Sequence, residues 1–217
     1  MFDFTVHQEV TCVAKGEGQF FSKLGSMVAY QGEFKAEKIL LGPNQGVLDS
    51  VIGFAKRKLT GENMPLMKVS GRGIYYMADR AQHVSVITLQ PGQSIGVESE
   101  NLLSFTEDCK YSVRFIGVGV VSQKGLFTSE LTARGEKPQV AVTTDGNPII
   151  LETPCAVDPD AVVCWTGRDP NFKTDISWKT FLGQSSGESY YLEFTDPGEI
   201  VIVQPSERES GVSLSID

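Results

Sequence analysis

Two short motifs recur three times, in the same order, along this chain, so any fold it adopts must house three copies of one local structure. The first motif reads apolar, apolar, small, aromatic, polar. It occurs as Met27-Val28-Ala29-Tyr30-Gln31, Leu102-Leu103-Ser104-Phe105-Thr106 and Val162-Val163-Cys164-Trp165-Thr166, with starts 75 and 60 residues apart. Each copy follows a turn-like stretch, and the second and third share a valine five residues upstream, Val97 and Val157. The second motif is a short β-rich run, a glycine and another β-rich run. Val69-Ser70-Gly71-Arg72-Gly73-Ile74-Tyr75-Tyr76-Met77 lines up with Leu131-Thr132-Ala133-Arg134-Gly135 and with Phe194-Thr195-Asp196-Pro197-Gly198-Glu199-Ile200-Val201-Ile202. A glycine in that place suits a bulge or a turn with positive φ.

The rest of the chain reads as strand nearly throughout. Residues 82–89 alternate apolar and polar and stop at Pro91-Gly92, residues 111–116 alternate, and so does Gln139–Thr143 ahead of Asp145-Gly146. Twenty-two glycines and ten prolines punctuate these runs, a balance that suits many short strands and turns. One segment departs from the pattern. Val47, Leu48, Val51, Ile52, Ala55 and Leu59 line one side of a helix that stops at Thr60-Gly61, so a helical insertion is expected near 47–59. The expected organisation is one β domain over 1–205, made of three pseudo-repeats (about 1–78, 79–142 and 143–205), and a polar tail over 206–217.

Charge narrows the partners. The net charge of −8 opposes a nucleic-acid binder, which needs clustered cations to neutralise phosphates. The one dense basic run is Lys56-Arg57-Lys58. No apolar stretch approaches the roughly 18 residues of a spanning helix, and no basic-then-apolar leader opens the sequence. Cys12, Cys109, Cys155 and Cys164 form no C-x-x-C pair, which reads as reduced, mostly buried thiols and a cytoplasmic setting.

Motifs that could carry chemistry are few. Gly183-Gln184-Ser185-Ser186-Gly187 fits G-x-S-x-G, but a strand-like run follows it, and both histidines, His7 and His83, precede Ser185. A nucleophile elbow needs a helix after the serine and a later histidine, so a Gly/Ser hairpin loop is the reading. Two distant histidines and scattered cysteines lack the short ligand spacings of zinc sites. Asp158-Pro159-Asp160 and Asp169–Asp175 read as turn formers. Gly117-Val118-Gly119 lacks the third glycine of a dinucleotide fingerprint. Trp165 fills the aromatic slot of the first motif and is expected in the core, and Trp178 in core or intersubunit packing. No catalytic, cofactor-binding or metal-binding residue is assigned.

These features resemble the family named for altered inheritance of mitochondria protein 24, common in bacteria and with a mitochondrial member. The resemblance rests on Gly25-Ser26-Met27-Val28-Ala29-Tyr30, Leu59-Thr60-Gly61-Glu62, Gly71-Arg72-Gly73-Ile74-Tyr75 and Asp196-Pro197-Gly198-Glu199-Ile200-Val201. It implies an all-β fold like that of the trp RNA-binding attenuation protein, a shortened double-stranded β-helix or sandwich whose relatives pack side by side into rings. A homotrimer would then set nine similar units in a ring. It carries over no catalytic residue, and Ala133-Arg134-Gly135-Glu136 departs from the family pattern.

The expected function is therefore a non-catalytic, self-assembling scaffold or binding protein, linked through the resemblance to envelope or membrane stress. Its expected partners are copies of itself and a protein docking on the Val47–Leu59 helix. Nucleic acid and a transmembrane segment are not expected. The alternative is a small-ligand binder or enzyme using a cleft between repeats.

Overall fold

A computed structural model describes residues 1–39, 65–116, 126–174 and 190–207. The alternating and glycine-punctuated runs form strands, and among the described residues there is no α-helix, only a 3-10 turn at Ser99–Asn101. The first third of the chain supplies β1 (Asp3–His7), β2 (Thr11–Lys23), β3 (Met27–Ile39) and β4 (Leu66–Met77). The middle supplies β5 (His83–Thr88), β6 (Ser94–Glu98), β7 (Leu102–Thr106), β8 (Cys109–Ile116), β9 (Leu126–Ala133) and β10 (Gln139–Thr144). The last third supplies β11 (Ile149–Glu152), β12 (Cys155–Val157), β13 (Val162–Thr166), β14 (Asn171–Thr174), β15 (Tyr190–Phe194) and β16 (Ile200–Val203). The strand runs expected near 82–89, 111–116 and 139–143 are thus present as β5, β8 and β10, and the fold is all-β. The boundary expected at 142 falls inside β10. The helix expected over Val47–Leu59 lies outside the described residues, as do Lys56–Lys58, Gly117–Gly119, Trp178, Ser185 and all but the start of the tail.

All pairings are antiparallel. One sheet runs β3-β4-β2-β7-β10-β5 with β1 added on β2, a second runs β11-β16-β13-β6-β9-β8, and a third β12-β15-β14. In the middle third, β10 lies between β5 and β7, and β9 lies between β6 and β8. In the last third, β16 lies between β11 and β13, and β15 lies between β12 and β14. The first third reaches the same connectivity with long strands, β4 lying between β2 and β3 over its whole length.

In the first third, facing glycines let the long strands run side by side at close approach. Gly73 faces Gly16 on β2 and Gly32 on β3. It adopts φ 139°, and a Cβ there would stand 2.0 Å from the Gln31 carbonyl oxygen. Only a residue without a side chain permits three backbones to cross so closely.

Among the described residues, three apolar clusters form the interior. One gathers Phe2, Phe4, Phe20, Val69, Tyr75 and Met77 of the first third. A second lies between the two large sheets, with Val97, Leu102, Phe105, Leu131 and Val140. A third joins Val157, Val162, Trp165, Leu192, Phe194 and Val201. The Gln139 side chain ties the N-terminal strand to this body: its Oε1 accepts from the Phe4 N–H at 2.8 Å, and its Nε2 donates to the Phe4 carbonyl at 3.3 Å. A primary amide matches both backbone groups of an extended residue, so Gln139 stands in for a neighbouring strand.

Candidate assembly surface

The three copies of the first motif begin β3, coincide with β7 and coincide with β13. Each pairs with the last strand of its own third, and each pairing carries a register shift at the same place. Met27 faces Met77 and Ala29 faces Tyr76, so Val28 is bulged out of register. Leu102 faces Val142 and Ser104 faces Ala141, leaving Leu103 out. Val162 faces Val203 and Cys164 faces Ile202, leaving Val163 out. This register sets Met77, Val142 and Val203 in corresponding places. It corrects the alignment of the second motif read from sequence by three residues in the middle copy and one in the last. The reason is local: β4 runs unbroken through Gly71 and Gly73, whereas Leu131 ends on β9 and Phe194 on β15, in different sheets from the runs that follow them. The glycine pattern alone could not tell a glycine within one strand from a turn between two.

A second relationship links one third to the next. β2 pairs with β7, setting Ser22 opposite Ser104 and Phe21 opposite Phe105. β6 pairs with β13, setting Val97 opposite Cys164 and Gly96 opposite Trp165. In both, the residue five before the motif of its own third faces the third residue of the next motif. The bulged residues follow suit. Leu103 packs into the apolar cluster of the first third, and Val163 into that between the large sheets. Both are fully buried.

Among the strands that take these two places in each third, two keep an unpaired edge. β3 pairs with β4 alone, and β12 with β15 alone, among the described residues. The consequence for β3 is large: Met27, Val28 and Tyr30 are 49%, 63% and 51% exposed, while their counterparts on β7 and β13 are buried. Trp165 is buried as expected, and Phe105 in the same slot is buried too, but Tyr30 is not. Its ring rests on one side against Tyr75, with centroids 6.1 Å apart and planes nearly parallel, and meets Phe34 edge-on. Burial and the neighbouring Tyr30 push the Tyr75 hydroxyl above the ordinary tyrosine range. An open, apolar strand edge is a template for another strand.

Several of the remaining polar groups pair with one another. A cleft of about 130 Å³ is lined by Thr153, Thr166, Arg168, Asp196 and Glu199 among others, smaller than the roughly 300 Å³ at which small-molecule sites begin. The Thr166 hydroxyl donates to the Glu199 carboxylate, the Thr153 hydroxyl to the Asp196 carbonyl, and the Glu199 N–H to the Thr153 oxygen. Arg168 pairs with Asp196 at 3.4 Å, and Arg114 bridges Glu130 and Asp169 at 3.2 and 3.1 Å. Asp158 accepts from the Asp160 N–H at 2.7 Å, a turn-forming contact. His7 lies on β1 and His83 on β5, and no cluster of three or more potential metal ligands occurs among the described residues. Cys12, Cys109 and Cys164 are buried and Cys155 is half-buried, all as free thiols.

The comparisons with known proteins bear on the whole domain. A family model described as mitochondrial biogenesis AIM24 matches residues 5–206. The chain belongs to that family. A crystal structure of a Streptococcus pyogenes protein, determined by a structural genomics consortium, superposes on this AIM24-family chain with a TM-score of 0.64 at 15% identity. It covers 95% of this chain and 94% of its own, a likeness of fold. No curated protein matches the sequence. No helix among the described residues is long and apolar enough to cross a membrane.

Sequence reasoning missed the edge on β12, although Val157, five residues ahead of its motif, marks the position. It also missed the exposure of the first motif copy. That copy has the same residue pattern as the other two, and no signal in it distinguishes a covered strand from an open one.

Proposed function

We propose that this AIM24-family chain is a non-catalytic, self-assembling scaffold or binding protein, built from three tandem copies of one β unit and acting as a homo-oligomer. One observation carries the reading. The strand Met27–Gln31 is open, with Val28 63% exposed, whereas the matching residues Leu103 and Val163 are fully buried. An apolar strand whose two counterparts are both covered is costly to leave in water, since each buried aliphatic side chain contributes roughly 1.5–3 kcal/mol. Association with a second copy removes that cost and the unpaired edge together. The mutual pairing of the polar groups around the cleft and its small volume support a non-catalytic role. A trimer is the arrangement that would set nine such units in a ring, and family membership supports work beside membranes or envelope stress systems, from the cytoplasm, through partners.

Light scattering on the purified full chain at micromolar concentration tests this. A discrete oligomer is expected, and a monodisperse monomer overturns the proposal.

A further inference from the structure

The geometry points to a particular joint for this assembly: β12 of one copy adds onto the open edge of β3 of the next, antiparallel, with Val157 opposite Ala29, Ala156 opposite Tyr30 and Cys155 opposite Gln31. The inference rests on the self-assembly reading and names the edges and register through which it operates.

The pairing is one the chain already makes twice. β2 joins β7 and β6 joins β13 with the same offset, Ser22 facing Ser104 and Val97 facing Cys164. Ser22, Val97 and Val157 each precede their own motif by five residues. β12 is the strand of the last third that corresponds to β2 and β6, because it pairs with β15 as β6 does with β9. β3 is the strand of the first third that corresponds to β7 and β13. Among the described residues, these are the two strands of those kinds whose outer edges lack a partner. A third use of the same offset joins the end of one chain to the start of another.

The side chains fit that register. The aromatic of the motif faces Phe21 at one joint and Gly96 at the other. At the new joint, Tyr30 faces Ala156, small and exposed. Val28 occupies the bulged place that Leu103 and Val163 use to enter the preceding apolar cluster. In the joint it enters the cluster of Val157, Val162, Trp165 and Leu192. Strand addition of this kind supplies main-chain hydrogen bonds for affinity and side-chain pockets for register. Because the two edges differ, the contact is head-to-tail and propagates until a ring closes.

Cys155 provides the test. Facing residues on antiparallel strands have Cα atoms about 4.5–5.5 Å apart, inside the disulfide range of roughly 4.4–6.8 Å. In Gln31→Cys, mild oxidation is expected to give covalent dimers and higher species on a non-reducing gel, reversed by reductant. The same treatment of Gln31→Cys/Cys155→Ser, or of Lys35→Cys farther along β3, is expected to give none. Val28→Glu, at a residue exposed in the single chain, is expected to keep the wild-type circular dichroism and to weaken association by roughly tenfold or more. If the chain is oligomeric by light scattering yet Gln31→Cys yields no crosslink, or Val28→Glu assembles as wild type, this joint is wrong and the self-assembly reading stands. If the wild-type chain is monomeric, both fall.

Discussion

Trp165 of β13 lies across Gly96 of β6, so closely that a Cβ at Gly96 would stand 2.7 Å from the indole ring. The pair is in direct register, and Trp165 is almost wholly buried. The missing side chain is the space the indole occupies. Gly96→Ala forces a ring packed against Phe194 to shift, and overpacking of that size costs about 1–3 kcal/mol. Urea unfolding should show a lower midpoint with an unchanged slope, together with altered Trp165 fluorescence. An unaltered midpoint would refute the contact.

At Gly73 the obstacle is backbone, which cannot rotate away. A Cβ would meet the Gln31 carbonyl oxygen at 2.0 Å, and φ there is 139°. Gly73→Ala is expected to lose about 3 kcal/mol or more, more than Gly96→Ala. Comparing the thermal midpoints of the two variants checks the order.

Gln139→Ala removes the amide that satisfies both backbone groups of Phe4. Leaving a buried donor unpaired costs about 1–3 kcal/mol. Hydrogen exchange is the sharper readout: the Phe4 amide should lose protection by at least about tenfold, while amides in β9 keep theirs.

The thiols predict both reactivity and pH dependence. Burial pushes Cys12 and Cys109 up to about 12, and pushes Cys164 up as well. Cys155, half-buried, is raised by the same cause. An aromatic disulfide reagent at pH 8 should therefore modify one thiol rapidly in the native chain and four in urea. A thiol whose pKa is raised by folding holds its proton in the native state after the unfolded state has lost it. This contribution is intact below the ordinary thiol value and is lost as pH rises from there towards about 12. Thermal midpoints should fall across that alkaline range, less steeply in a Cys12→Ala variant than in the wild type.

Much of this fold can be read directly from residue order. The strands β5, β8 and β10 follow from alternation, and Asp158-Pro159-Asp160 turns as its residue types require. The second motif was harder, because Gly71 and Gly73 lie within a continuous strand while Gly135 and Gly198 separate two. Gly71, Gly73 and Gly198 all adopt positive φ, so the glycine does not tell the two uses apart, and only the strands lying opposite decide between them. Likewise, the candidate surface was half legible: Val157 marks β12 by its spacing, but nothing in Cys155–Val157 announces an open edge.

The sequence alone determined that this is an all-β chain with one motif used three times, because strand periodicity and turn chemistry are local properties of neighbouring residues. Which copy of that motif remains uncovered was decided only by the tertiary structure. Met27–Gln31 has the pattern of Leu102–Thr106 and Val162–Thr166, yet the latter two are covered by β2 and β6, while among the described residues no strand lies across the outer edge of the first. Exposure is a property of what lies across a strand, and that neighbour is set by packing at long range.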